Sequence, residues 1–155
     1  MYVDIFTVLD DRHIAIELKY KTRLATVKLL DEYYQLKSHG AQDIGCYDFV
    51  KDISRLETLR LNGKIDEGFA VMLTNDEAYR DNFGREGTNA LAFRIYQGRD
   101  ICGDLSWSEQ TGIGTKKSRE ANLKIRSSYR LDWQLFSTIP EAKQSFHFLV
   151  VHVSA

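Results

Sequence analysis

The stretch VDIFTVLDDRHIAIELKYKT, from Val3 to Thr22, decides the fold expected for this chain. Apolar residues alternate along two arms on either side of Asp10-Asp11, which predicts two antiparallel strands joined by a two-residue turn there or by a four-residue turn around it. Directly opposed residues of an antiparallel pair point to the same side of the sheet. The apolar sets of the two arms must therefore pair with each other, odd positions on the first arm against even positions on the second.

This register places three charged residues on one face of the hairpin, with Asp4 opposite Glu17 and Lys19 one diagonal step away. Opposed carboxylates destabilise a sheet, so one of them must take up a proton or find a cation if the face is covered. Mg²⁺ suits such a position because it prefers oxygen ligands and keeps sites for water and phosphate. The alternative is a surface hairpin in which Lys19 pairs with Glu17 or with Asp4. The other residues expected on this face are apolar and predict that it is covered: Phe6, Val8 and Ala15.

Composition limits the class of protein. The chain has 155 residues, 43% of them hydrophobic and 28% charged, which indicates one globular domain over residues 1–155. No apolar run approaches the roughly 20 residues that a membrane helix needs. The chain start lacks the pattern of a signal peptide and the two cysteines lie far apart, so we expect a cytoplasmic protein with reduced thiols. The net charge of −1 means that a nucleic-acid partner would need a local basic patch.

Asp4, a turn and then Glu17-Leu18-Lys19 resemble the D…(D/E)-x-K signature of the PD-(D/E)XK nuclease superfamily. The run IAIELKYKT is typical of the corresponding strand, and a helix opening with Gln42 resembles the glutamine-containing helix of several branches. The chain is also similar to a widespread bacterial group with that fold, through four segments: Val3–Thr22, His39–Asp52, Leu73–Asp76 and Gly114–Arg119.

The resemblance implies a restriction-endonuclease-like fold of the α/β or α+β class, with a mixed central sheet flanked by helices. It implies hydrolysis of DNA phosphodiester bonds with Mg²⁺ or Mn²⁺ as cofactor. Asp4, Glu17 and the Leu18 carbonyl would hold the metal, Lys19 would stabilise developing negative charge, and Gln42 would position the attacking water. The competing hypothesis is a catalytically inactive module of the same fold that binds nucleic acid or a protein.

The superfamily core usually has a helix and a strand ahead of the aspartate strand, whereas here only three residues precede Asp4. This departure leaves two interpretations, a truncated start or an edge completed by a partner chain, for example in a homodimer.

The remaining sequence predicts one long helix and a strand-rich C-terminal half. Apolar residues at helical spacing predict a helix from about 41 to 61, with Gln42 at the top of the apolar stripe. Gln42 could instead bind free backbone groups at the helix start. The charged residues of this helix are interpreted as a mostly solvated face: Asp43, Asp48, Lys51, Asp52 and Arg55. EGFAVMLTND predicts a central buried strand, a polar loop follows over 76–89, and Trp107 and Trp133 are expected in the core.

Basic residues that could hold a nucleic-acid backbone occur in two places. Lys21 and Arg23 follow the hairpin, and Lys116, Lys117 and Arg119 lie in a glycine-containing loop. Lysines and backbone N–H groups in such a loop suit phosphate contacts, although a solvated hairpin tip has the same composition.

Overall fold

The computed structural model describes residues 2–82 and 89–154. The strands are β1 (Ile5–Leu9), β2 (Arg12–Lys21), β3 (Ala25–Leu29), β4 (Glu32–Leu36), β5 (Glu67–Thr74), β6 (Asp100–Leu105), β7 (Leu123–Arg130), β8 (Trp133–Ile139) and β9 (Gln144–Val153). The helices are α1 (Gln42–Leu61), α2 (Glu77–Arg80) and α3 (Ile113–Lys116). Within the described ranges, no helix has the length and apolar character needed to cross a membrane.

Five strands form the central sheet in the order β1-β2-β5-β9-β8. The β2 and β5 strands run parallel, and every other neighbouring pair is antiparallel, so the sheet is mixed. Two smaller antiparallel sheets pair β3 with β4 and β6 with β7. The predicted mixed sheet of the α/β or α+β class, with a strand-rich C-terminal half, is therefore confirmed.

The N-terminal hairpin has the predicted register. Ile5 lies opposite Ile16 and Leu9 lies opposite Arg12. Asp10 and Asp11 both have positive φ, 50° and 61°, as a two-residue turn with the right-handed twist of a hairpin requires. Aspartate tolerates this conformation better than most residues do, which explains the acidic turn.

The long helix α1 packs on one face of the central sheet, and small residues determine which face it covers. Ala15 of β2 and Ala70 of β5 are fully buried beneath it. A Cβ on Gly68 would meet the Cβ of Leu56 at 3.0 Å, so the helix approaches the sheet too closely for a larger residue. The face of β2 that carries Glu17 is consequently the buried one.

The apolar face of the hairpin is the more open of the two. Leu18 and Tyr20, which alternate with the charged residues, are 46% and 50% exposed. The expectation that the charged face is covered is right at Ala15 but wrong at Phe6 and Val8, which remain exposed. Those two residues lie on β1, the edge strand, and α1 packs over β2, β5 and β9.

Elsewhere the helix and the central strand are confirmed at Gln42–Leu61 and Glu67–Thr74. Strand β4 was not predicted, because EYYQL lacks an alternating apolar pattern and pairs only with β3. The expected loop over 76–89 contains α2, and its residues 83–88 lie outside the described part. Trp107 and Trp133 are both buried in the core, as predicted.

Candidate functional site

Four charged side chains meet between β2 and α1, and we call them the Glu17 cluster: Glu17, Lys19, Asp52 and Arg55. Glu17 is 1% exposed and its Oε1 contacts the guanidinium of Arg55. The Nζ of Lys19 lies 2.5 Å from Oδ2 of Asp52, and Arg55 Nη2 lies 3.5 Å from Asp52 Oδ1. Two acids and two bases thus form a continuous charged group on the buried face of the sheet.

Asp4 lies at the open side of this cluster. The pairing of Ile5 with Ile16 makes Asp4 and Glu17 the next opposed positions, although β1 itself begins at Ile5. The Oδ2 atom of Asp4 accepts a hydrogen bond of 2.7 Å from the Leu18 N–H, and the residue is exposed. The structure therefore brings Asp4 beside the strand that carries Glu17 and Lys19, with its carboxylate on a backbone N–H.

Burial governs the protonation of the two inner carboxyl groups. Desolvation raises the pKa of Glu17, nearby Arg55 opposes this increase, and Asp52 and Asp4 add to it. Desolvation likewise raises the pKa of Asp52, against the positive charge of the Lys19 ammonium group in contact with it. Burial thus disfavours the ionised form of both acids, and neighbouring positive charge stabilises it.

The donor atoms of the cluster are carboxylate oxygens, the type of ligand that a hard cation prefers. Glu17 Oε1 and Asp52 Oδ2 contact cationic nitrogens but have no hydrogen bond of good geometry within the described residues. No set of three or more His, Cys, Asp or Glu side chains in residues 2–82 and 89–154 is arranged like a metal site. Mg²⁺ is commonly held by only one or two carboxylates, with waters and substrate phosphate completing its shell, so Glu17 with Asp4 or Asp52 would suffice.

Gln42 does not join the cluster. Its Nε2 donates a hydrogen bond of 2.8 Å to Asp76 Oδ2, just beyond the end of β5. Gln42 and Asp52 are ten residues apart on α1, which corresponds to about 15 Å along the helix axis. The helix begins near the carboxyl end of β5, whereas Glu17 pairs with Ala70 in the middle of that strand.

The predicted basic residues differ in their position relative to the cluster. Lys21, two residues beyond Lys19 on the same face of β2, is partly buried. Arg119 is engaged by Asp48, with Nε and Nη2 at 2.7 and 2.8 Å from the two carboxylate oxygens. Asp48 precedes Asp52 by one turn of α1, so Arg119 is anchored about one helical turn from Asp52, and Lys116 and Lys117 precede it in the same segment. Arg23 instead lines a separate cavity, described below.

Sequence reasoning missed Asp52 and Arg55, which were interpreted as part of a solvated face. Asp52 is 6% exposed, so that interpretation is wrong for it. Its spacing could have revealed this, because Asp52 lies three residues after Phe49 and four before Leu56, both of which are fully buried. An acid at such a position indicates a buried partner on the sheet.

Comparisons of the chain with protein-family models, with curated proteins and with solved structures find no match in any of the three.

Proposed function

We propose that the protein is a Mg²⁺-dependent deoxyribonuclease that hydrolyses phosphodiester bonds in DNA. The observation that carries the proposal is the Glu17 cluster, in which two buried carboxylates and a lysine meet beside the exposed carboxylate of Asp4. Burying such a charged group costs free energy, and desolvated ionisable groups with specific charge partners are concentrated at functional sites.

Glu17 and Asp4 are the proposed metal-holding residues, together with the Leu18 carbonyl, and Asp52 is added to them. When bound, Mg²⁺ would polarise the scissile phosphate and lower the pKa of a coordinated water. Lys19 would face the phosphate and stabilise its developing negative charge, while Arg55 balances the charge of Glu17. Gln42, which bonds to Asp76, has no assigned role in this site.

The DNA strand would run past the cluster along basic residues on its two sides. Lys21 lies on the β2 side, and Lys116 and Lys117 lie on the side of α1 that Arg119 binds. The cytoplasm is the proposed location, since Cys46 and Cys102 are free thiols and reduced cysteines are typical there.

The test is cleavage of plasmid DNA with and without Mg²⁺ by the purified chain. Asp4→Asn keeps an oxygen that can accept the Leu18 N–H, and Glu17→Gln keeps the side-chain shape, so both variants should fold and lose Mg²⁺-dependent nicking. Glu67→Gln is the control, because Glu67 is a buried acid that pairs with Arg12 and His152 away from the cluster. Equal cleavage by the parent and both site variants would refute the proposal.

The alternative function is a nucleic-acid-binding module without catalysis. One observation favours it: Lys19 and Asp52 already neutralise each other, as do Arg55 and Glu17. In that case the affinity of the chain for DNA would be the same with and without Mg²⁺. In calorimetry with Mg²⁺ or Mn²⁺ alone, the parent and Glu17→Gln would give the same result.

A further inference from the structure

A polar cavity opens where the parallel strands β2 and β5 end, and we call it the Arg23 cavity. Its volume is about 400 Å³, within the roughly 300–1,000 Å³ of small-molecule sites. Arg23 and Asn75 each follow one of the two strands, and the loop before β9 closes the other side. The side chains that matter here are Arg23, Asn75, Glu77, Arg80, Lys143 and His147.

The lining of the cavity is cationic although the chain as a whole has a net charge of −1. Arg23, Arg80 and Lys143 line the cavity together with one carboxylate, Glu77. Arg80 forms a salt bridge with Asp81, with Nη1 3.6 Å from Oδ1, whereas Arg23 and Lys143 form no salt bridge within the described residues. Positive charges that line one cavity repel one another, and an anion bound among them would relieve that repulsion.

Local hydrogen bonds fix the backbone at two of the cationic residues, Arg23 and Lys143. Asn75, which is buried, accepts a hydrogen bond of 2.7 Å from the Arg23 N–H and donates one of 3.1 Å to the Arg23 carbonyl. Lys143 has a φ of 50°, a conformation that costs free energy in a residue other than glycine. Lys143 adopts it as the residue that ends the short 3-10 turn Pro140–Ala142, so the turn fixes where its side chain begins.

We infer that the Arg23 cavity binds a phosphate group, either as inorganic phosphate or as the terminal phosphate of a larger molecule. Arginine guanidinium groups match the oxygens of phosphate in pairs, and lysine adds a point charge. The inference does not depend on the proposed nuclease activity, because the cavity shares no lining residue with the Glu17 cluster.

His147 provides a reporter inside the cavity. Burial lowers the pKa of His147 and the positive charge of Arg80 lowers it further, while Asp81 and Glu77 oppose these effects. A bound phosphate would add negative charge beside the imidazole and raise the pKa of His147. An NMR pH titration of its ring protons, with and without inorganic phosphate, measures this change.

Calorimetric titration of the whole chain with inorganic phosphate is the primary experiment. Arg23→Ala leaves the backbone bonds to Asn75 intact, and Lys143→Gly relieves the positive φ, so both variants should stay folded. We expect each to bind phosphate about ten-fold more weakly, the effect of losing one charged hydrogen bond. Lys64→Ala removes the same charge beyond the other end of α1 and should bind as the parent does.

A second titration separates the two sources of phosphate. If the physiological ligand is a terminal phosphate, a trinucleotide with a 5′-phosphate should displace inorganic phosphate, and a trinucleotide without it should not. If neither trinucleotide displaces inorganic phosphate, inorganic phosphate itself is the ligand. Glu17→Gln should bind phosphate normally even if it lacks nuclease activity. The inference is overturned if millimolar phosphate gives neither heat nor a change in the His147 titration, or if Arg23→Ala and Lys143→Gly bind as tightly as Lys64→Ala.

Discussion

The ammonium group of Lys19 lies 2.5 Å from the carboxylate of Asp52, joining the second strand to the long helix. Asp52 is the more deeply buried partner, with 8% of its side chain exposed against 24% for Lys19. The pair therefore brings a helix acid to the carboxylate and lysine of the hairpin, and it makes the helix part of the candidate site.

Asp52→Asn should lower the affinity for Mg²⁺ and the rate of DNA cleavage by about 10- to 100-fold, the range seen when a carboxylate beside a metal is removed. Calorimetry with Mg²⁺ and a nicking assay would measure the two effects. Glu67→Gln is the matched control, because Glu67 is a buried acid that pairs with Arg12 and His152 away from the cluster. If Asp52→Asn and the control variant have the same Mg²⁺ affinity and the same rate of DNA cleavage, Asp52 does not contribute to the metal site.

Glu17→Gln should stabilise the protein relative to the parent as the pH rises. Because burial raises the pKa of folded Glu17 above its ordinary value of 4.5, the stability it contributes is complete below pH 4.5 and is lost as the pH rises through the folded pKa. The difference in melting temperature between variant and parent should therefore grow from pH 4.5 towards neutrality.

Asp66→Asn is the control for this pH dependence, because the effect of Asp66 on stability should change with pH in the opposite direction. The hydrogen bond from the His13 N–H lowers the pKa of Asp66, so its contribution is present above its ordinary value of 3.8 and is lost on acidification. If the difference in melting temperature between Glu17→Gln and the parent stays constant with pH, folding does not raise the pKa of Glu17, and the prediction fails.

Glu57→Ala should destabilise the fold by about 3 kcal/mol, because it leaves buried donors without an acceptor. The carboxylate of Glu57 accepts hydrogen bonds from the N–H groups of Arg126 and Ser127 and from the Tyr129 hydroxyl. It thereby fastens α1 to β7. Chemical denaturation would measure the loss, and Glu109→Ala, at an exposed glutamate, should change stability by less than about 0.5 kcal/mol.

Replacing Lys116 and Lys117 together with alanine should weaken DNA binding and reduce its dependence on salt. Each lost phosphate contact lowers the slope of log affinity against log salt by roughly 0.9 for duplex DNA. Fluorescence anisotropy at several salt concentrations would measure the slope. An unchanged slope, equal to that of Lys64→Ala, would mean that these lysines do not contact the backbone.

The edge strand β1 is expected to associate with a second copy of the chain. All five of its residues are exposed, and its pairing with β2 contains no register shift. The opposite edge strand, β8, is interrupted by a register shift between Leu135 and Ser137, which hinders pairing. Light scattering should show a mass that rises with concentration.

Val8→Lys should abolish this association by placing a charge on the free edge, where Val8 is 54% exposed. Leu135→Lys introduces the same charge at a similarly exposed position on β8 and should leave the association intact. A parent chain that stays monomeric at every concentration would contradict the expectation.

The sequence alone determined the parts of the fold that depend on local periodicity. The alternating hairpin set its own register, because a shift of one residue would have turned its apolar residues to the other face. The helix at Gln42–Leu61 and the buried strand at Glu67–Thr74 likewise follow from their apolar spacing. The placement of Asp4, Glu17 and Lys19 on one face came from the same reasoning.

Only the tertiary structure decided which face is buried and which groups complete the cluster. Small residues at Ala15, Gly68 and Ala70 let α1 approach the charged side of the sheet, and this packing brings Asp52 and Arg55 to Glu17 and Lys19. The same packing leaves Gln42 about three helical turns away. Contacts between residues more than thirty positions apart depend on where a helix crosses a sheet, and no local pattern in either segment encodes that position.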